Sequence, residues 1–215
     1  MGIRINLYYE ESERGKILRE QAKDFVQQVI DDVNANLIVF ANKVKFNRFV
    51  SGNMAVADFK ITCKSSRVLL NGTTFAHSQI HFSNNPVYKR YGSQLPHFQV
   101  IKGRRRKKKK LPAYKKVISL KPVNPKLKDI ICDPYRNMNI PEFCWPRIED
   151  SESKILESLI HFMKLHKVKN PKGEIHLYTD REPCMGCESK IMEFITKYKD
   201  IDIFIYYKIG YEAFL

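Results

Sequence analysis

The sequence lacks any apolar run of the roughly 18 residues that a membrane-spanning helix needs. Its first residues, Met1-Gly2-Ile3-Arg4-Ile5-Asn6, lack the apolar core of a signal peptide. Asn6 stands where a myristoylation signal would carry Ser or Thr. The expectation is a cytoplasmic chain with no membrane partner, unless a carrier or injection system delivers it into a target cell. Cysteine is scarce, with five residues in all. An odd count without a secretory signal argues against a disulfide framework. Cys63, Cys132 and Cys144 read as small core residues, and only Cys184 and Cys187 lie close together. Acidic residues are nearly missing from one segment. Residues 83–140 carry a net charge of +14, against +3 for residues 1–82 and −2 for residues 141–215. The overall +15 is therefore local. A concentrated positive field suits a polyanion such as nucleic acid. Six of the ten prolines fall in the same segment, which excludes long regular elements there.

What is present divides by period. Residues 11–45 read as helical, with Phe25, Val26, Val29, Ile30 and Val33 recurring at spacings of three and four. Residues 1–44 are expected to form a helical segment packed on the main domain, which spans 45–215. From Gly52 the period shortens: Ala55, Ala57, Phe59 and Ile61 alternate with Val56, Asp58 and Lys60, as in a strand. Val68-Leu69-Leu70 then meets Asn71-Gly72, a turn signal, before Thr73-Thr74-Phe75-Ala76. Residues 83–140 read as an insertion, with a strand possible at Lys115–Leu120 and seven adjacent cations, Arg104, Arg105, Arg106, Lys107, Lys108, Lys109 and Lys110, at a self-repelling tip. Residues 150–168 are expected to be a helix capped by Asp150 or Ser151, and Glu174–Thr179 a strand. Residues 184–198 read as a second helix and Asp202–Tyr207 as a strand, a run that implies parallel strands joined by a crossover helix.

The chemistry sits at Glu182-Pro183-Cys184-Met185-Gly186-Cys187, where a strand hands over to a helix. Two thiols three positions apart at a helix start can face one metal, and the exposed N–H groups there favour the thiolate. Zinc takes such pairs, and a catalytic zinc needs one further protein ligand and a water. Half of a structural zinc site and a thiol–disulfide redox pair are the alternatives.

Upstream, Asp150-Ser151-Glu152 opens the preceding helix. Together with Leu177-Tyr178-Thr179-Asp180-Arg181-Glu182-Pro183-Cys184-Met185-Gly186-Cys187, this pattern resembles the zinc-dependent cytidine and nucleobase deaminases. It is most similar to the deaminase domains of bacterial polymorphic toxins, a likeness that extends to Gly52-Asn53 and Ala76-His77-Ser78-Gln79. The resemblance implies an α/β chain of three-layer α/β/α architecture with a mixed sheet, into which the basic segment 83–140 would be inserted. It implies Zn2+ on Cys184 and Cys187, Glu152 as the proton shuttle, and the Pro183 carbonyl as acceptor for the substrate amino group. The third ligand departs from the family's usual His or Cys. Asp150 stands there, and aspartate is a legitimate zinc ligand. It gives the ion three anionic ligands, so more of the proton work falls on Glu152. His77, His81 and His161 are the substitutes the fold could bring in.

Hydrolytic deamination of a base in DNA or RNA, cytosine before adenine, is the activity implied. Phosphate neutralisation by the basic insertion suits a polymeric substrate, and Tyr88, Tyr91, Phe98 and Tyr114 could stack unpaired bases. A solvated loop or a localisation tag is the plainer account of Arg104–Lys110. Asn53 and His77 are candidate base contacts. A toxin-type member would meet an immunity protein as a partner. A non-catalytic basic nucleic-acid-binding protein with a structural zinc, and a thiol–disulfide oxidoreductase, are the rival functions.

Overall fold

The computed structural model describes residues 2–63, 68–93, 115–128, 131–132, 145–146 and 149–209. The cationic run Arg104–Lys110, with Phe98 and Tyr114, lies outside the described residues.

The chain opens with a strand, β1 (Arg4–Tyr8), and a 3-10 turn at Tyr9–Glu11. Helix α1 (Glu13–Asn34) follows, its start capped by Ser12, whose hydroxyl accepts from the N–H groups of Arg14 and Gly15. Helix α2 (Lys43–Val50) is capped by the Asn42 side chain on the Lys45 N–H. Then come β2 (Met54–Cys63), β3 (Val68–His77) and a short α3 (Pro86–Tyr91). Among the described residues, the two-residue strands β4 (Gly92–Ser93), β5 (Lys116–Val117), β6 (Ile131–Cys132) and β7 (Trp145–Pro146) follow. The chain then alternates α4 (Ser151–Leu165), β8 (Lys172–Arg181), α5 (Met185–Lys197) and β9 (Asp200–Ile209).

The long strands make one mixed sheet in the order β1-β9-β8-β2-β3. β1, β9 and β8 run parallel, and β2 lies antiparallel to both β8 and β3. Helix α5 is the crossover between β8 and β9. Gly173, at φ +154°, lets β8 approach β2: a Cβ there would fall 1.9 Å from the Lys60 carbonyl oxygen. Strand alternation sends Ala55, Ala57, Phe59 and Ile61 to a core under α4 and α5. Met54 and Val56 point to the opposite core, under α1, α2 and α3. The architecture is three-layer α/β/α.

Three expectations need correction. The lead-in is not purely helical: Arg4–Tyr8 pairs in register with Ile203–Tyr207 as an edge strand, and the helix gives way after Asn34. Asn71-Gly72 is not a turn. It lies inside β3 opposite Lys60 and Phe59, because the strands pair through their whole length, from Met54 with His77 to Cys63 with Val68. Tyr88 and Tyr91 do not offer rings to bases. Both are buried on α3, with Tyr91 packed edge-on against Phe25 at 5.5 Å and its hydroxyl donating to Asp32 at 2.5 Å. No helix of the described residues is long and apolar enough to cross a membrane.

Candidate active site

Two helix N-termini meet at the C-terminal end of β8. Asp150 is the N-cap residue of α4 and Cys184 that of α5, and neither side chain caps its own helix. Cys187 lies in the first turn of α5. The donor atoms of Asp150, Cys184 and Cys187 all lie within 4.8 Å of one another. Asp150 Oδ2 is 3.6 Å from Cys184 Sγ and 3.3 Å from Cys187 Sγ. A tetrahedral zinc with bonds of about 2.3 Å to sulfur and about 2.0 Å to oxygen would space S and O by roughly 3.5 Å. Both sulfur–oxygen spacings therefore match that ion. Among the described residues this group has three members, which leaves a fourth position of a tetrahedral ion for a water or substrate.

The chemistry of the set also calls for a cation. The Cys184 thiol, burial, and the carboxylates of Glu152 and Asp150 push the Cys187 thiol well above its ordinary range. Without a cation this corner holds protons. A divalent ion would displace them and stabilise the thiolates, helped by the positive ends of both helices.

Glu152 stands one helical step inward, 3% exposed. Its Oε1 accepts from Thr179 Oγ1 at 2.9 Å and its Oε2 from Ser151 Oγ at 2.9 Å. The Cys187 sulfur lies 3.9 Å from Oε2. Burial, then the Asp150 charge, hold the Glu152 carboxyl above the usual carboxylate range. Asn53 closes the cluster: its amide nitrogen is 2.8 Å from Ser151 Oγ, 2.9 Å from Thr179 Oγ1 and 3.4 Å from Glu152 Oε1. Asp180 anchors the next residue, accepting from the Met54 N–H at 3.0 Å.

The other sequence candidates fall in different places. Pro183 is buried in the link between β8 and Cys184. His77 is buried behind the site, stacked on Phe49 with ring centroids 4.3 Å apart, its Nδ1 accepting from the Gln79 N–H. Burial, then the Lys154 charge, push its imidazole down to about 3, so it is neutral. His81 lies beside Lys154 and Glu149, and His161 is exposed further along α4. None of these three histidines belongs to the donor group.

Sequence reasoning missed Ser151, Thr179 and Lys154. Thr179 was findable: it is two residues beyond Leu177 on the same strand face, the first polar residue after a buried one. Lys154 carried no signal, because a lysine is expected at the surface. It is fully buried, and its Nζ donates to the carbonyls of His77 at 2.8 Å and Ile80 at 3.0 Å, with His81 Nδ1 also at 3.0 Å. Burial pushes this amine down to about 7, and the two carbonyls and the His81 ring are its polar neighbours. Lys154 pins the end of β3 to the first turn of α4.

No curated protein and no solved structure matches the chain. A family model does, over residues 38–209, described as "Toxin-deaminase: The BURPS668_1122 family of deaminases". That span contains Asn53, Asp150, Glu152, Cys184 and Cys187, and the mixed α/β/α fold is the cytidine-deaminase-like one. The chain belongs to the toxin-deaminase family.

Proposed function

We propose that the protein hydrolytically deaminates a nucleobase in DNA or RNA, cytosine before adenine, with Zn2+ held by Asp150, Cys184 and Cys187. The observation that carries this reading is the juxtaposition of a three-donor group with the buried, doubly hydrogen-bonded Glu152 carboxylate beside it. A bound zinc ion supplies Lewis acidity toward the attacking water.

The rest is done by the chain's own groups. Glu152 takes a proton from the attacking water at one carboxylate oxygen and passes it to the ring nitrogen as the water oxygen bonds to the amino-bearing carbon. The C–N bond then breaks, and Glu152 passes the second proton of the water to the leaving group, releasing ammonia. Water and an aminated base become a carbonyl base and ammonia, with no redox partner. Ser151 and Thr179 fix the carboxylate for both transfers, and Asn53 braces them. The carbonyl of Pro183 accepts from the substrate amino group. The basic segment 83–140, with Arg104–Lys110 at its centre, supplies counter-charge for a polymeric substrate. A toxin-type role carries with it delivery into a target cell and an immunity protein as partner.

The test is purification with metal analysis, followed by sequencing of single- and double-stranded DNA and RNA after incubation. Zinc, ammonia release and C-to-T reads are expected. Glu152→Gln should retain zinc and lose about 10²–10⁴-fold in turnover, the size of a general acid–base contribution. Zinc without ammonia release in the wild type would favour the structural-zinc nucleic-acid-binding protein. Disulfide reduction without metal would favour the oxidoreductase.

A further inference from the structure

The surface around the site is uneven in charge. The sequence has no acidic residue between Asp32 and Asp58. Helix α2, in the middle of that stretch, turns Lys43, Lys45 and Arg48 to solvent. None of the three has a carboxylate partner among the described residues. Helix α2 leads straight into the site. A Cβ on Gly52 would meet the His77 ring at 2.5 Å, Ser78 Oγ at 2.8 Å and the Arg48 carbonyl oxygen at 3.1 Å. The next residue is Asn53, whose amide braces Glu152.

A second feature borders the same corner. Phe82, on the loop between β3 and α3, is 59% exposed. The loop cannot easily fold it away. Lys154 holds the carbonyls of His77 and Ile80, the Ser78 N–H donates to the Asn53 carbonyl at 2.9 Å, and the Asn85 amide donates to the Gln79 carbonyl at 3.2 Å. The Phe82 ring stands edge-on to His81, which faces Glu149, the neighbour of Asp150. A single exposed ring is ordinary on any protein. Together with three cations that lack a carboxylate partner among the described residues, on the helix that leads to Asn53, it offers the pairing that unpaired nucleic acids use: cations for phosphates, ring faces for bases.

We propose that α2 and Phe82 form the docking surface for the single-stranded nucleic-acid segment that leads into the site. Lys43, Lys45 and Arg48 contact its phosphates, and Phe82 stacks on an unpaired base next to the target. The strand approaches over α2. This rests on the deaminase reading above.

The test follows anisotropy of a fluorescein-labelled single-stranded oligonucleotide, as DNA and as RNA, across a salt series. The full chain carries Glu152→Gln, so that binding is separate from turnover. Combining Lys43→Gln, Lys45→Gln and Arg48→Gln should lower the slope of log K against log salt by about 2, at roughly 0.7 per cation. Phe82→Ala should weaken binding about tenfold, the loss of one stacked base, and Phe82→Tyr should keep it. Removing Lys164, Lys167 and Lys169 in the same way, at the other end of α4, should leave slope and affinity near wild type. Wild-type slope and affinity in the α2 and Phe82 variants would overturn the docking surface and leave the deaminase reading standing. Equal affinity for poly-L-glutamate, unmoved by Phe82→Ala, would point to an acidic protein partner and also overturn it. Full turnover by Glu152→Gln would instead sink the deaminase reading and leave the binding result intact.

Discussion

The two faces of the sheet are built from different materials. Under α1 the buried set is mainly apolar and aromatic, with Leu18, Phe25, Val29, Phe75 and Tyr178 among its members. Under α4 and α5 the buried set also holds Ser151, Glu152, Lys154, Glu157, Thr179 and Lys190. Burying such groups costs several kcal/mol each unless partners satisfy them. Here they are satisfied: Glu157 accepts from the N–H groups of Lys126 and Leu127, and Lys190 donates to Ser153. A face that served only as a core would not need them. One face stabilises the sheet, and the other holds reactive groups in a fixed arrangement.

The contrast can be broken at four points, in falling order of effect. Cys184→Ala should lose the metal and all measurable ammonia release. Metal analysis showing wild-type zinc in this variant would remove Cys184 from the donor group. Phe25→Ala, on the other face, should cost about 3–5 kcal/mol of stability, the usual cost of emptying a buried phenylalanine site. Urea unfolding measures it, and turnover per folded molecule should stay unchanged. A turnover loss there would show that the faces are not separable.

Thr179→Val keeps the shape of the side chain and removes one donor to Glu152. A hydrogen bond to a charged group is worth about 1.5–3 kcal/mol, so turnover should fall by roughly ten- to a hundredfold with zinc retained. Thr179→Ser should restore it, and equal rates for the Val and Ser variants would show that the hydroxyl does nothing for the carboxylate. Tyr91→Phe is the mildest, at about 1 kcal/mol. The Tyr91 hydroxyl, with Arg90, holds the Asp32 carboxyl below its usual range. That stabilisation is complete at neutral pH and is lost as pH falls through the lowered value. The variant should flatten this acid limb, and identical acid unfolding profiles would contradict it.

The elements that the sequence exposes are those with a local cause. The helices α4 and α5 and the strands β8 and β9 each repeat one period over ten or more residues. Their order then dictates a parallel pair and its crossover. The cysteine pair and Glu152 are legible for the same reason, since each sits at a helix start marked by its own neighbours. β1 is not legible. Arg4–Tyr8 is short and half-exposed, and it becomes a strand only through Ile203–Tyr207, almost the whole chain away. Asn71-Gly72 misleads because its local turn preference yields to ten residues of pairing with β2.

The opposition of two helix N-termini was implicit in the sequence, in Asp150-Ser151-Glu152 and Cys184-Met185-Gly186-Cys187. Their spacing to within a few ångströms was not, because it depends on how α4 and α5 pack side by side under the sheet. Only the tertiary structure set Asn53 beside Glu152, buried His77 against Phe49, and placed Lys154 inside the fold. Residue type fixes what chemistry a side chain can do. Packing fixes which partner it meets, and that depends on contacts between parts of the chain that carry no information about one another until they fold.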